Sequence, residues 1–274
     1  MLIGKTFFFL LGADDPEMRR IEEILKTKGI IYDYARVNGR RVHPGNAYQA
    51  DPVARSFLWQ FMVVECAFSG MSADTVIIDH HRPGDPGFNK GPVLYWEASS
   101  LGQFYRLLPL SEPNQSDRVL AAMDHCPVAA WRSECPGITP QEILHRKIVE
   151  IASVHHVSLD TIRNQIREFE EILIQHESIR IGTQDVIHLR RFLGHGYSIP
   201  LLCAQVAVLK IGKTALFVHK DHTHSPFKLS LYGHVTPETV EAFMTTWAPA
   251  NGLKKICGVP SRGYAGGYLS VWDW

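Results

Sequence analysis

The chain has 274 residues, enough for one large or two modest domains with a sizeable hydrophobic core. Its 28 Lys and Arg residues equal its 28 Asp and Glu residues, so the formal net charge at pH 7 is zero. A neutral chain argues against broad binding to duplex nucleic acid, which depends on clustered basic residues, and leaves small phosphorylated ligands open.

The N-terminal segment MLIGKTFFFLL is apolar but shorter than a membrane span, and acidic residues follow it. It contains no small-residue cleavage site, so we predict a buried strand in a cytoplasmic protein without membrane contact. The five cysteines form no CxxC pair, which favours reduced thiols over a disulfide framework. Cys126 and Cys135 remain candidates for a metal site.

Three short apolar runs in the first 80 residues predict parallel strands: KTFFFLLG, FMVVECAF and DTVIIDHH. They lack clean alternation, as expected when a sheet is covered on both faces. Between the first two runs, Asp14 or Asp15 can cap a helix that has Pro16 in its first turn and ends at Gly29. A strand followed by a capped helix indicates an α/β fold.

Acids and histidines collect where these apolar runs end. They are Asp15 and Glu17 after the first run, Glu65 at the end of the second, Asp79, His80 and His81 at the end of the third, and Asp124 after a further apolar segment. Because ligands of such sheets lie beyond the carboxyl ends of the strands, we expect these side chains to converge. Imidazole with carboxylate suits manganese, iron or zinc, whereas sites made only of oxygen favour magnesium and calcium. Manganese is our first expectation, and two such ions can clamp the oxygens of an in-line displacement at phosphorus.

The remaining residues predict a helical connector and a second domain. TPQE at 139–142 is a capping box, and a second helix begins near Ser158 or Asp160. From about residue 178 the pattern favours shorter strands and turns in LCAQVAVLKIGKTALFVHK and FKLSLYG, then a helix around PETVEAFMTTW. We therefore expect a parallel-sheet domain over 1–138, a helical connector over 139–177 and a smaller C-terminal α/β domain over 178–274.

The triplet Asp79-His80-His81, followed by Gly87-Phe88, resembles the name-giving motif of the DHH phosphoesterase superfamily. The resemblance is to its RecJ-like and oligoribonuclease-like members and covers most of the chain. Their acid-x-acid pair, the acid before the motif strand and the last metal-binding Asp have counterparts here. The resemblance implies a ligand set of Asp15, Glu17, Glu65, His80 and Asp124. It also implies that Asp79 orients His80 and that His81 faces the substrate phosphate.

The C-terminal part resembles the DHH-associated domain of that superfamily, in which a GGGHxxAAG segment holds substrate. Here Ala265-Gly266-Gly267 aligns with the end of the segment, and Arg262 aligns with its histidine. The resemblance implies that substrate is bound by Arg262, Gly263, Gly266 and Gly267, in a cleft between the two domains. An Arg fork can bind two phosphate oxygens at once.

Together these features predict a hydrolase, a phosphoesterase that uses one or two Mn²⁺ ions, with Mg²⁺, Fe²⁺ or Zn²⁺ as the other metals. Its expected substrate is a short single-stranded oligonucleotide, a cyclic dinucleotide or a nucleoside bisphosphate. Hydrolysis of inorganic pyrophosphate or polyphosphate is the alternative within the same chemistry. Glu17 and Glu65 stand where the family usually has Asp, which leaves open a catalytically degenerate nucleotide-binding sensor.

Each of these residues also has a purely structural explanation. Asp15 and Glu17 can cap a helix and favour its first turn. Glu65 can be a solvated acid at a strand end, and the triplet at 79–81 can be a hydrogen-bonded turn. His125 and Cys126, rather than Asp124, can be the functional pair of their segment.

Overall fold

A computed structural model describes residues 6–54, 59–108, 110–221, 226–260 and 263–269. The fold is mixed α/β, and the chain divides into two compact units, Met1–Ile138 and Thr139–Trp274. The segment expected as a connector, 139–177, forms two helices that belong to the second unit.

The first unit contains a parallel sheet of four described strands: β1 (Thr6–Leu11), β2 (Ile31–Tyr34), β5 (Trp59–Val64) and β6 (Val76–Ile78). Their order is β2-β1-β5-β6, so β6 lies at one edge. A two-stranded sheet is formed by β3 (Arg36–Val37) and β4 (Arg40–Arg41). The helices are α1 (Pro16–Lys28), α2 (Tyr95–Ala98), α3 (Ser100–Leu107), α4 (Gln115–His125) and α5 (Pro127–Trp131). The three strands predicted from sequence are confirmed as β1, β5 and β6, whereas β2 was not predicted.

Helix α1 begins and ends as its sequence predicts. The Asp15 carboxylate accepts a hydrogen bond from the Met18 amide at 2.7 Å, and Gly29 ends the helix with φ +64°. Met18, Ile21 and Leu25 are fully buried against the sheet. This packing holds the start of α1 beside the carboxyl end of β1.

Strand β1 is buried on both faces, which explains its missing alternation. Phe9 and Leu11 pack in one core cluster together with α1 and α3. Phe8 and Leu10 pack in a second cluster on the other face. A sheet covered in this way leaves its strand ends as the place where polar side chains can gather.

The second unit contains a mostly antiparallel sheet in the order β11-β12-β10-β9-β8-β7, in which β8 and β9 are parallel. Its described strands are β7 (Ser178–Ile181), β8 (Gln184–His195), β9 (Thr214–Lys220), β10 (Phe227–Gly233), β11 (Lys254–Val259) and β12 (Tyr264–Tyr268). Its described helices are α6 (Pro140–His155), α7 (Leu159–Gln175), α8 (Ile199–Lys210), α9 (Pro237–Ala242) and α10 (Ala248–Ala250), with a π-helical turn over Phe243–Trp247.

Three helical predictions for this unit are confirmed, the third by α9 with the π-helical turn that follows it, and one strand prediction is wrong. Thr139 and Glu142 form the capping box of α6, and Ser158 caps α7. The segment LCAQVAVLK, expected within strands, instead belongs to α8. It is apolar almost without interruption because most of its side chains are buried, so its sequence has no period that separates helix from strand.

Candidate metal centre

Four side chains from separate elements of the first unit meet in one cluster, with one ligand atom each within 4.8 Å of one another. Glu17 comes from the first turn of α1, Glu65 from the end of β5, His80 from the segment after β6, and Asp124 from the last turn of α4. A second, overlapping group joins His81 to Glu65 and His80. These buried acids and histidines could hold a metal ion.

Asp124 lies on a helix, whereas the sequence, in which it follows an apolar run, suggests that it lies at a strand end like the other acids. Helix α4 is capped by Asn114, whose side chain accepts a hydrogen bond from the Asp117 amide at 2.8 Å. Its run VLAAM is buried over residues 119–122, and that short run alone could not distinguish a helix from a strand.

Glu65 has an unusual backbone conformation where β5 ends. Its φ of +49° lies in the left-handed region, which is strained for a residue with a side chain. A Cβ atom at Gly12 would lie only 2.4 Å from the Glu65 carbonyl oxygen, so the close approach of β1 and β5 at this point requires glycine. The Glu65 amide donates to Ile78 O at 3.1 Å, which connects the ends of β5 and β6.

The segment after β6 is fixed by Gln103 of α3 and by Gly87. The Gln103 side chain accepts from the Asp79 amide at 3.2 Å and donates to Asp79 O at 3.0 Å and to Ala98 O at 2.6 Å. The Gly87 amide also donates to Asp79 O, at 2.9 Å. A Cβ atom at Gly87 would lie 1.9 Å from Ala98 O and 2.6 Å from the His80 Cβ, so this site of contact has no room for a methyl group.

The buried His80 ring faces the carboxylates through Nε2. This nitrogen lies 2.9 Å from Asp124 Oδ2 and 3.5 Å from Glu65 Oε1. Burial opposes a charge on the ring, but the interactions with Asp124 and Glu65 outweigh it and raise the pKa of His80 to about 10. The same hydrogen bond to His80 outweighs burial at Asp124 and lowers the pKa of that carboxyl.

Two acids of the cluster are poorly satisfied. Glu17 Oε1 accepts from the Leu101 amide at 3.0 Å, but Glu17 Oε2 and Glu65 Oε1 are buried and have no hydrogen-bond partner among the described residues. The contact of Glu65 Oε1 with His80 Nε2, at 3.5 Å, is an ion-pair contact without a formed hydrogen bond. Burial and then repulsion from Asp124 and Glu65 raise the pKa of Glu17 well above its usual value. Asp15 does not belong to the four-residue group, yet burial and repulsion from the same two acids raise its pKa to about 8.

Asp79 holds His81, whereas the resemblance implied that it orients His80. Its Oδ1 lies 2.8 Å from His81 Nδ1 and accepts from the amides of His80 and His81. The Tyr48 hydroxyl donates to Oδ2 at 3.0 Å. Burial opposes ionisation of Asp79, but the hydrogen bond from His81 outweighs it, so the pKa of this carboxyl is lowered.

His125 contacts the other side of the His80 ring, at an Nδ1 to Nδ1 distance of 3.1 Å. Sequence reasoning had considered His125 only as a rival to Asp124. Its position next to Asp124 on α4 was the available signal. The thiols of Cys126 and Cys135 lie 3.1 Å apart and belong to neither ligand group.

The three glycines that the resemblance implies in substrate binding lie in or beside β12. Gly266 and Gly267 lie within β12, which pairs with β10 on one side and β11 on the other. Gly263 precedes this strand with φ +63°. Arg262 lies outside the described residues.

Comparison with family models, with curated proteins and with solved structures found no match to this chain. No helix in the described part of the chain has both the length and the apolar character needed to cross a membrane. The chemistry of the chain is therefore inferred from the site itself.

Proposed function

We propose that this chain is a metal-dependent phosphoesterase of the DHH type, a hydrolase that uses manganese to cleave a small phosphorylated substrate. The observation that carries the proposal is the meeting of Glu17, Glu65, His80 and Asp124 within 4.8 Å. Three carboxylates with one imidazole form a donor set that suits Mn²⁺, Fe²⁺ or Zn²⁺ better than a site made only of oxygen.

The unsatisfied atoms of the cluster support a cation as its natural occupant. Glu17 Oε2 and Glu65 Oε1 are buried without a hydrogen-bond partner among the described residues, and such atoms destabilise a fold unless something binds them. The raised pKa values of Asp15 and Glu17 have mutual repulsion among their causes, which a cation would remove. A bound divalent cation would polarise a phosphoryl oxygen and make water more acidic.

Asp79 and His81 would act on the substrate side of this site. The His81 side chain is 30% exposed, and Asp79 holds its Nδ1, which leaves Nε2 to face a ligand. A proton on Nε2 would neutralise charge on a nonbridging phosphate oxygen as that charge develops. Asp79 would keep the ring in this orientation.

We extend the proposal to the second unit as a DHH-associated substrate-binding domain with Arg262, Gly263, Gly266 and Gly267 as its contacts. Gly266 supports this because a Cβ there would lie 3.4 Å from the Tyr264 hydroxyl and 3.5 Å from Lys228 Cε. Gly266 therefore lies beside an aromatic ring and a lysine that is paired with Asp221, and residue types of this kind can contact a nucleotide base and phosphate.

The substrates we propose are a short oligonucleotide, a cyclic dinucleotide or a nucleoside bisphosphate. The neutral net charge favours such small molecules over long nucleic acid. Pyrophosphate and polyphosphate are the rival substrates and belong in the same assay.

The test is product release from a panel of these compounds with added Mn²⁺. His80→Ala and Asp124→Ala should abolish turnover, whereas His176→Ala and Asp160→Ala, at exposed positions of the second unit, serve as matched controls and should retain it. Folding of each variant is checked by circular dichroism. Turnover that persists without Mn²⁺, or in both site variants, contradicts the proposal. Ligand binding without turnover on any compound would favour a nucleotide sensor.

A further inference from the structure

His125 connects the His80 ring to a backbone carbonyl. Its Nδ1 lies 3.1 Å from His80 Nδ1, and its Nε2 lies 2.9 Å from Lys90 O. The two imidazoles are therefore hydrogen-bonded in series, from the main-chain oxygen of Lys90 to Nδ1 of His80, the ring nitrogen that faces away from the acids.

The Lys90 carbonyl determines where the protons of the two imidazoles lie. A carbonyl oxygen can only accept, so the Nε2 of His125 must carry the proton that it donates to Lys90 O. In neutral His125 the Nδ1 is then an acceptor, and the hydrogen between the two rings belongs to His80 Nδ1. In the metal-free protein Nε2 of His80 donates to Asp124. A cation that replaced this Nε2 proton would meet the Nε2 lone pair of a ring that keeps its other proton on Nδ1.

We propose that His125 is a positioning residue that keeps His80 in the tautomer able to bind a cation through Nε2. The inference rests on the proposed function in that it requires the cluster to bind a metal ion. It goes beyond that function because it assigns the orientation of His80 to a neighbouring imidazole rather than to the Asp79 carboxylate, whose ring partner is His81.

The chemistry of the site favours a neutral partner here. Metal-binding histidines usually donate their second N–H to a carboxylate, a carbonyl or water. Glu17, Glu65 and Asp124 already place three carboxylates in the cluster. An imidazole accepts the hydrogen bond without adding another negative charge.

The experiment compares Mn²⁺ affinity in the full-length protein and two variants, measured by competition with a chelating dye. His125→Phe keeps a ring but has no acceptor and should bind Mn²⁺ about 10- to 100-fold more weakly. His125→Gln can accept from His80 and donate to Lys90 O, so it should restore most of the affinity. His176→Phe is the control for an imidazole lost elsewhere.

A second readout does not depend on substitution. In the unsubstituted protein loaded with diamagnetic Zn²⁺, nitrogen-15 NMR should show the His80 proton on Nδ1 and the His125 proton on Nε2. A proton on His125 Nδ1 would overturn the inference, as would equal Mn²⁺ affinity in His125→Phe and the unsubstituted protein, or equal weakness in His125→Gln and His125→Phe. If the unsubstituted protein binds no metal ion, the proposed function fails and this inference fails with it. If it binds Mn²⁺ and His125→Phe binds equally well, only this inference fails.

Discussion

Replacing Gly87 with alanine should displace the segment that carries His80. Gly87 is buried where the chain after β6 meets α3, and its own amide donates to Asp79 O at 2.9 Å. A methyl group there would lie 1.9 Å from Ala98 O, about 1.5 Å short of the 3.4 Å at which ordinary contact begins. It would also press on the His80 Cβ at 2.6 Å and on Gln103 Nε2 at 2.8 Å.

The size of the effect follows from which atoms must move. Ala98 O is a backbone atom of a helix and already accepts from Gln103, so it cannot swing aside as a flexible side chain would. Overpacking of a buried position costs about 1–3 kcal/mol, and we expect Gly87→Ala at the upper end of that range, about 3 kcal/mol. At about 2–4 °C per kcal/mol for a unit of this size, the melting temperature should fall by about 6–12 °C. Mn²⁺ affinity should fall by about tenfold or more because His80 moves with the segment.

The assays are urea denaturation, thermal melting and Mn²⁺ competition on the metal-free protein, with Gly91→Ala as the matched control. Gly91 lies four residues along the same segment, with φ −75° and no atom within 4 Å of a Cβ built there. Alanine at Gly91 should be neutral or stabilise the fold by about 0.4–1 kcal/mol. Equal stability and equal Mn²⁺ affinity in Gly87→Ala and Gly91→Ala would refute the reasoning.

Three further predictions concern other parts of the chain. Asp117→Ala should lower the free energy of unfolding by about 3 kcal/mol in urea, because the Tyr105 hydroxyl loses its acceptor and Arg20 loses its bidentate partner and keeps only Glu23. A change under 1 kcal/mol would show that the pair contributes little. The metal-free protein should lose stability as pH rises from about 4 to 8, since folded Asp15 keeps its proton to a pKa of about 8 whereas the unfolded chain releases it near 3.8. Asp15→Asn, which retains a helix-capping side chain, should flatten this decline in melts at pH 5 and 8 in chelator, and an unchanged slope would contradict the assignment. Thr139→Ala should destabilise the second unit by about 1 kcal/mol through loss of the α6 capping box, measured by denaturation, and leave Mn²⁺ affinity unchanged.

The elements that sequence predicted correctly are those with local signals. Helix α1 has an acid cap, a proline in its first turn and a terminal glycine, and α6 and α7 have capping residues of the same kind. Strand β2 was missed because IYDY is short and half polar. Helix α8 was misread because a segment buried on nearly all sides loses the periodic pattern that distinguishes the two structures.

The candidate site was predictable as a set of residues but not as a geometry. The positions of Glu17, Glu65 and His80 follow from strand and helix ends, which sequence can locate. The position of Asp124 in the cluster depends on how α4 packs. The pairing of His80 with His125 depends on which side of the last turn of α4 faces the His80 ring. Both are long-range consequences of packing, so residue order alone could not separate the role of Asp79 from that of His125.

The side chain of Gln103 also bears on how the protein behaves at high concentration. Strand β6 is an edge of the parallel sheet, and an exposed edge offers unpaired N–H and C=O groups to a strand of another molecule. Here the edge strand has only three residues, and the amide of Gln103 takes both backbone groups of the next residue, Asp79, much as a neighbouring strand would. Replacing Gln103 with leucine would leave the Asp79 amide without this acceptor, while Asp79 O would keep the hydrogen bond from the Gly87 amide. With its capped end weakened, the edge should pair more readily with a strand of another molecule.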